Sequence, residues 1–161
     1  MTMTSNVFLN KILSKFCLPV FGGVYSNNNI PPVSTLRGKS IIVNTARQSS
    51  PGEHFITLRF SRNGQSVKVY DSFGVKLRVP EILTSLKGLR ITNSRRIIQD
   101  PFSFYCGYFA AGIVFLHALG LPENYLFSRY DKINLRKNDK IIETFIIYCI
   151  KTLKKKHVNH Q

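Results

Sequence analysis

Residues 99–119, QDPFSFYCGYFAAGIVFLHAL, constrain the fold more than any other stretch of the chain. A polar segment runs into a lone cysteine. Behind it Phe109, Ile113 and Leu116, with Ala110 and Val114 on the same side, recur at three- and four-residue steps, which predicts a buried helix over 106–119. The run is too short to cross a membrane, which takes about 20 apolar residues, and it carries His117. It therefore has to be covered by protein, and Gly107, Ala110, Ala111 and Gly112 allow another element to approach it closely. Cys106 falls in the first turn, where unpaired N–H groups and the positive end of the helix dipole favour a thiolate. A cysteine in an apolar run is ordinarily an inert core residue, so its chemistry depends on what else the chain brings to it.

The length of 161 residues suits one domain, spanning 1–161, with a sizeable core. Lys and Arg number 23 against 8 Asp and Glu, a net charge of +15, which attracts polyanions, nucleic acid before anionic membrane. Cys17, Cys106 and Cys149 are too few and too scattered for a disulfide framework or a zinc cluster. These counts lead us to expect no metal, no membrane insertion and a reducing intracellular compartment rather than secretion. Near the N-terminus Asn10, Lys11 and Lys15 interrupt the apolar residues, so 5–16 reads as an amphipathic helix, with Val7, Phe8, Ile12 and Leu13 on one side, and not as a secretory signal.

Residues 21–34, rich in Gly, Asn and Pro, read as a surface loop, 40–45 as a buried strand and 46–53 as a turn. Strands over 55–60 and 67–71 flank Asn63-Gly64, a strong hairpin signal. A two-residue turn there pairs positions whose numbers sum to 127, setting His54, Ile56 and Leu58 on the same face as Val69, Asp71 and Phe73. The opposite face, with Thr57, Arg59, Lys68, Tyr70 and Ser72, reads as solvent-facing, with Phe55 its one large apolar member. A short helix is expected over 79–86, a strand over 95–99, a basic loop over 122–138 and a last helix from 139 to about 154, with Ile142, Phe145, Ile146, Cys149 and Leu153 on one side.

A cysteine nucleophile needs a base, a group that orients the base, and a donor for the developing oxyanion. Of the four histidines, His117 lies eleven residues along the same helix as Cys106, about 16 Å away, and His157 and His160 sit in a polar tail. His54 remains, with Asp71 on its face of the hairpin to orient it. Gln99, seven residues before Cys106, supplies a side-chain amide that could join the Cys106 N–H in an oxyanion hole.

The blocks VNTARQSSPGEHFITL, KVYDSFG and QDPFSFYCGYFAAGIVFLHAL resemble the motif blocks of the adenain family, the adenovirus maturation cysteine proteases, and of its relatives in Polinton- and adintovirus-type elements. The order His, acid, Gln, Cys and the separations of 17 residues from His54 to Asp71 and 7 from Gln99 to Cys106 are similar, and the likeness covers about residues 7–120. It implies an α+β fold, a mixed central β-sheet with helices packed around it, in an architecture related to papain-like proteases. It implies Cys106 as nucleophile, His54 as general base, Asp71 as its orienter and Gln99 as oxyanion donor. The activity implied is cleavage of viral capsid or core precursors at Gly-containing sites, in the virion and host nucleus, by a monomer. DNA and an activating viral peptide are the family's cofactors. The high positive charge fits DNA, and Lys151, Lys154, Lys155 and Lys156 are candidate contacts. Phe55 stands where the family often has Trp, Asp71 where it often has Glu, and no cysteine between Asp71 and Gln99 offers a disulfide to an activating peptide. Two other readings share these residues: a protease of ubiquitin-like modifiers, and a non-enzymatic basic DNA-binding core protein of a virion.

Overall fold

The computed structural model describes residues 5–46 and 54–159. The expected turn over 46–53 lies almost wholly outside them. The fold is α+β, built on a five-stranded mixed sheet in the order β1 (Phe21–Ser26), β2 (Ser40–Asn44), β3 (Phe55–Phe60), β4 (Ser66–Tyr70) and β5 (Arg90–Ser94). The outer pairs, β1 with β2 and β4 with β5, are parallel, and the inner pairs are antiparallel. Helices α1 (Asn6–Phe16), α3 (Cys106–Leu119) and α5 (Lys137–Val158) cover one face, and α2 (Pro80–Ser85) covers the other. A fourth short helix, α4 (Asn124–Phe127), joins the larger layer.

The alternation of side chains along each strand divides the core. Ile42, Phe55 and Tyr70 face the α1/α3/α5 layer, while Ile41, Val43, Ile56, Leu58, Val67 and Val69 face α2. The hairpin register is the expected one: Thr57 pairs with Tyr70, Leu58 with Val69, Arg59 with Lys68 and Phe60 with Val67. The turn itself is longer than two residues. The Ser61 N–H donates to Ser66 O, leaving Arg62 to Gln65 as the loop, with Gly64 at φ 70°.

The solvent-facing reading of the second hairpin face is corrected. Thr57 is fully buried and its hydroxyl donates to the Ala110 carbonyl in α3 at 2.9 Å. Tyr70 is buried too, its hydroxyl donating to Glu123 at 2.5 Å, and Lys68 reaches the same carboxylate. Polar residues face a core here because donors and acceptors from remote elements satisfy them.

Other boundaries also shift. The first part of the expected loop over 21–34 is strand β1, paired with β2 across an irregularity between Phe21 and Val24. The expected strand over 95–99 is displaced: β5 occupies Arg90–Ser94, and the later residues make one bridge, Phe73 to Ile97, plus bonds from the Ile98 and Gln99 N–H groups to Ser72 O. The segment expected as a loop over 122–138 contains α4 and the start of α5, and α5 runs on to Val158. In α1, Ser5 caps the helix as its hydroxyl accepts from the Phe8 N–H; Leu9, Leu13 and Phe16 are buried, and Val7 points outward.

Helix α3 has the expected bounds and is buried from Phe109 to Leu116. Gly112 lies against α5: a Cβ there would sit 2.5 Å from Ile142 Cδ1, so that side-chain end would have to move. Gly120, at φ 66°, ends the helix, and the Leu121 N–H returns to Leu116 O. Among the described residues no helix is long and apolar enough to cross a membrane.

Candidate active site

His54 immediately precedes β3, and its carbonyl accepts from both the N–H and the hydroxyl of Thr45. Its Nε2 lies 2.9 Å from Asp71 Oδ1. A carboxylate only accepts, so Nε2 carries the proton and donates. Asp71 Oδ1 also accepts the Phe73 N–H at 2.9 Å, and the Gly74 N–H donates to the Asp71 carbonyl. This tight turn depends on Gly74, at φ 67°, where a Cβ would meet Ile97 Cγ1 at 2.8 Å and Arg95 O at 3.0 Å. The Phe73 ring stacks on the imidazole with centroids 4.8 Å apart, fixing its plane. One turn therefore both aims the carboxylate and holds the ring it orients.

The second ring nitrogen, Nδ1, is buried and makes no conventional hydrogen bond within the described residues. The Cys106 sulfur is close enough to act on the imidazole's protonation. Burial pulls the His54 pKa down. The hydrogen bond to Asp71, then Cys106, then the charges of both outweigh it and push the value up to about 9. Cys106 opens α3 with no side chain capping that end, so the positive end of the dipole is left to the sulfur. The expected base, orienter and nucleophile are thus brought together.

Gln99 is 1% exposed. Its Oε1 accepts from Ser72 Oγ at 2.5 Å and its Nε2 donates to Ser103 O at 2.8 Å. It bridges the turn after Asp71 to the loop that delivers Cys106. That loop is held by α5: Ser103 Oγ, which accepts the Tyr105 N–H, donates to Asp139 Oδ1 at 2.9 Å. Tyr105 donates to Glu143 at 2.8 Å, and buried Asn138 donates to Ile98 O. Sequence reading did not find Ser72, Ser103, Asn138 or Glu143, and took Asp139 only as a helix start. The contacts that hold the loop from outside it span 27 to 40 positions, beyond the reach of any local pattern.

The remaining candidates lie apart. His117 Nδ1 meets Ser40 Oγ at 2.8 Å, and burial, with Arg59 and Arg62, pushes its pKa down to about 4. His157 is exposed in the last turn of α5, and His160 lies outside the described residues. Lys151, Lys154, Lys155 and Lys156 are exposed at the far end of α5, about 20 Å along the axis from Asp139. Cys17 and Cys149 are buried, and burial pushes both thiols up to about 12. Among the described residues no cluster of His, Cys, Asp and Glu could hold a metal ion. A cavity of about 370 Å³ borders His54 and Asp71.

No family model matches the chain, and neither does any curated protein.

Proposed function

We propose that this chain is a cysteine endopeptidase of adenain-like, papain-related architecture. Its substrates would be precursor proteins of a virus or virus-derived element, cut beside small residues such as glycine. The observation that carries the reading is the His54–Asp71 hydrogen bond of 2.9 Å with Cys106 acting on the same imidazole from the start of α3. The substrate class rests on the resemblance of the three motif blocks. The net charge of +15 supports DNA as a partner, in keeping with a virion or nuclear setting.

In the first step the sulfur, its proton already held on His54 Nδ1, attacks the scissile carbonyl carbon while Asp71 holds the Nε2–H. The carbonyl electron pair moves onto oxygen. Gln99 Nε2 has two hydrogens, one spent on Ser103 O; the second would join the Cys106 N–H in donating to the oxyanion. Collapse breaks the C–N bond, and the leaving amine takes the proton from His54. Water, losing a proton to His54, then attacks the thioester; the C–S bond breaks with its electron pair going to sulfur, and the proton stays on His54.

The test is labelling of the full chain with a peptide electrophile ending in glycine, read by intact mass with and without DNA. Rapid modification at Cys106 alone, lost in His54→Ala, is expected, since Cys17 and Cys149 are buried with raised pKa values. Slow labelling that ignores His54 would overturn the enzyme reading.

Gln99→Ala is expected to cost about 2.7–4 kcal/mol of transition-state stabilisation, on the order of 10²–10³ in kcat. It also strips partners from Ser72 Oγ and Ser103 O, so a melting curve belongs beside the kinetics. Unchanged kcat would remove Gln99 from the oxyanion hole.

A further inference from the structure

The cavity beside His54 has a composition that the peptidase chemistry does not require. Its inner wall is apolar and buried, with Ile56, Val69 and Leu77 among the lining residues. Lys76 and Arg78 also line it, both exposed, and neither forms an ion pair among the described residues. Asp71, the one acid among the described lining residues, is committed to His54 and to the Phe73 N–H. With His54 protonated up to about pH 9, its charge offsets that carboxylate, and the two side chains from the 73–79 segment leave the described lining net positive. At about 370 Å³ it sits at the small end of the range for binding pockets, about 300–1,000 Å³.

We infer that this cavity is a substrate subsite for a peptide segment in which an apolar residue is flanked by Asp or Glu. The apolar side chain packs against Ile56, Val69 and Leu77, and the neighbouring carboxylate pairs with Lys76 and Arg78. The assignment rests on the peptidase reading above, because it takes the cavity at His54 as part of the substrate path. A nucleic-acid phosphate would also meet the two cations, but it offers nothing to the apolar wall, so a peptide accounts for more of the lining.

The experiment is a cleavage competition with the full-length chain. Glycine-containing peptides, each with a leucine placed at successive positions around the cut, carry Glu, Gln or Lys beside that leucine. We expect kcat/KM for the best Glu peptide to exceed that of its Lys counterpart by about tenfold at low salt, with the gap shrinking near 1 M NaCl as the Debye length falls to about 3 Å. Lys76→Glu combined with Arg78→Glu should invert the Glu-to-Lys order, a ratio within one variant that partial unfolding cannot invert. Cleavage of all three peptides at one rate would overturn the subsite while leaving the peptidase standing. So would loss of cleavage to an added DNA oligonucleotide that depends on Lys76 and Arg78 without any acid preference. If no peptide is cut and Cys106 is not labelled, the peptidase reading falls, and the subsite with it.

Discussion

Replacing His54 with alanine is expected to lower kcat for peptide cleavage by on the order of 10⁶-fold, as deletion of the base does in other nucleophile–base pairs. Cys106→Ala should cost about as much, and the double variant little more, because the two residues act as one unit. In the proposed mechanism the imidazole holds the proton the thiol has given up, donates it to the leaving amine and activates water, so every step draws on it. The same residue sets the alkaline limit. Its folded pKa of about 9 stands above the ordinary 6.5, so the protonated imidazole that feeds the leaving group is lost as pH rises through 9, and kcat should fall there. The linkage to stability has the same sign. A raised histidine pKa stabilises the fold fully below about pH 6.5, and this contribution disappears between there and about pH 9. A pH–rate profile of the wild type and single-turnover kinetics of His54→Ala check both statements; near-normal turnover in His54→Ala would sink the mechanism.

The second large effect is on stability. Phe115 is fully buried in the middle of α3, in the cluster that joins α1, α3 and α5 to the sheet. Phe115→Ala should cost about 3–5 kcal/mol through lost transfer energy and the cavity left behind. Against a typical total of about 5–15 kcal/mol this is a large share, and it should lower Tm by roughly 6–20 °C. Phe104, eleven residues earlier, is 84% exposed, and Phe104→Ala should change stability by no more than about 0.5 kcal/mol. Thermal melts of the two variants test the contrast. Equal losses would mean that α3 does not sit in the core as described.

The sequence alone carried α3, the buried side of α5 and the register of the β3–β4 hairpin, because each follows from a short-range rule. Helix faces repeat every three to four residues, strand faces every two, and a loop centred on Asn63-Gly64 keeps the same pairing as a two-residue turn there would. From that register it followed that His54 and Asp71 share a face, and the structure brings them to 2.9 Å.

Pairing and burial that depend on distant partners were not legible. β1 contains Gly22 and Gly23 and looks like a loop until β2 is laid beside it in parallel. Thr57 and Tyr70 look like surface residues until the Ala110 carbonyl and the Glu123 carboxylate arrive from the other layer. The support of the loop before Cys106 is of the same kind, with Ser103 held by Asp139 and Tyr105 by Glu143 from 36 and 38 residues away. Periodicity and turn chemistry fix the elements and the shared face of His54 and Asp71. Which polar groups are satisfied, and how rigidly the reactive side chains are held, depends on contacts that exist only once the sheet and its helices have packed.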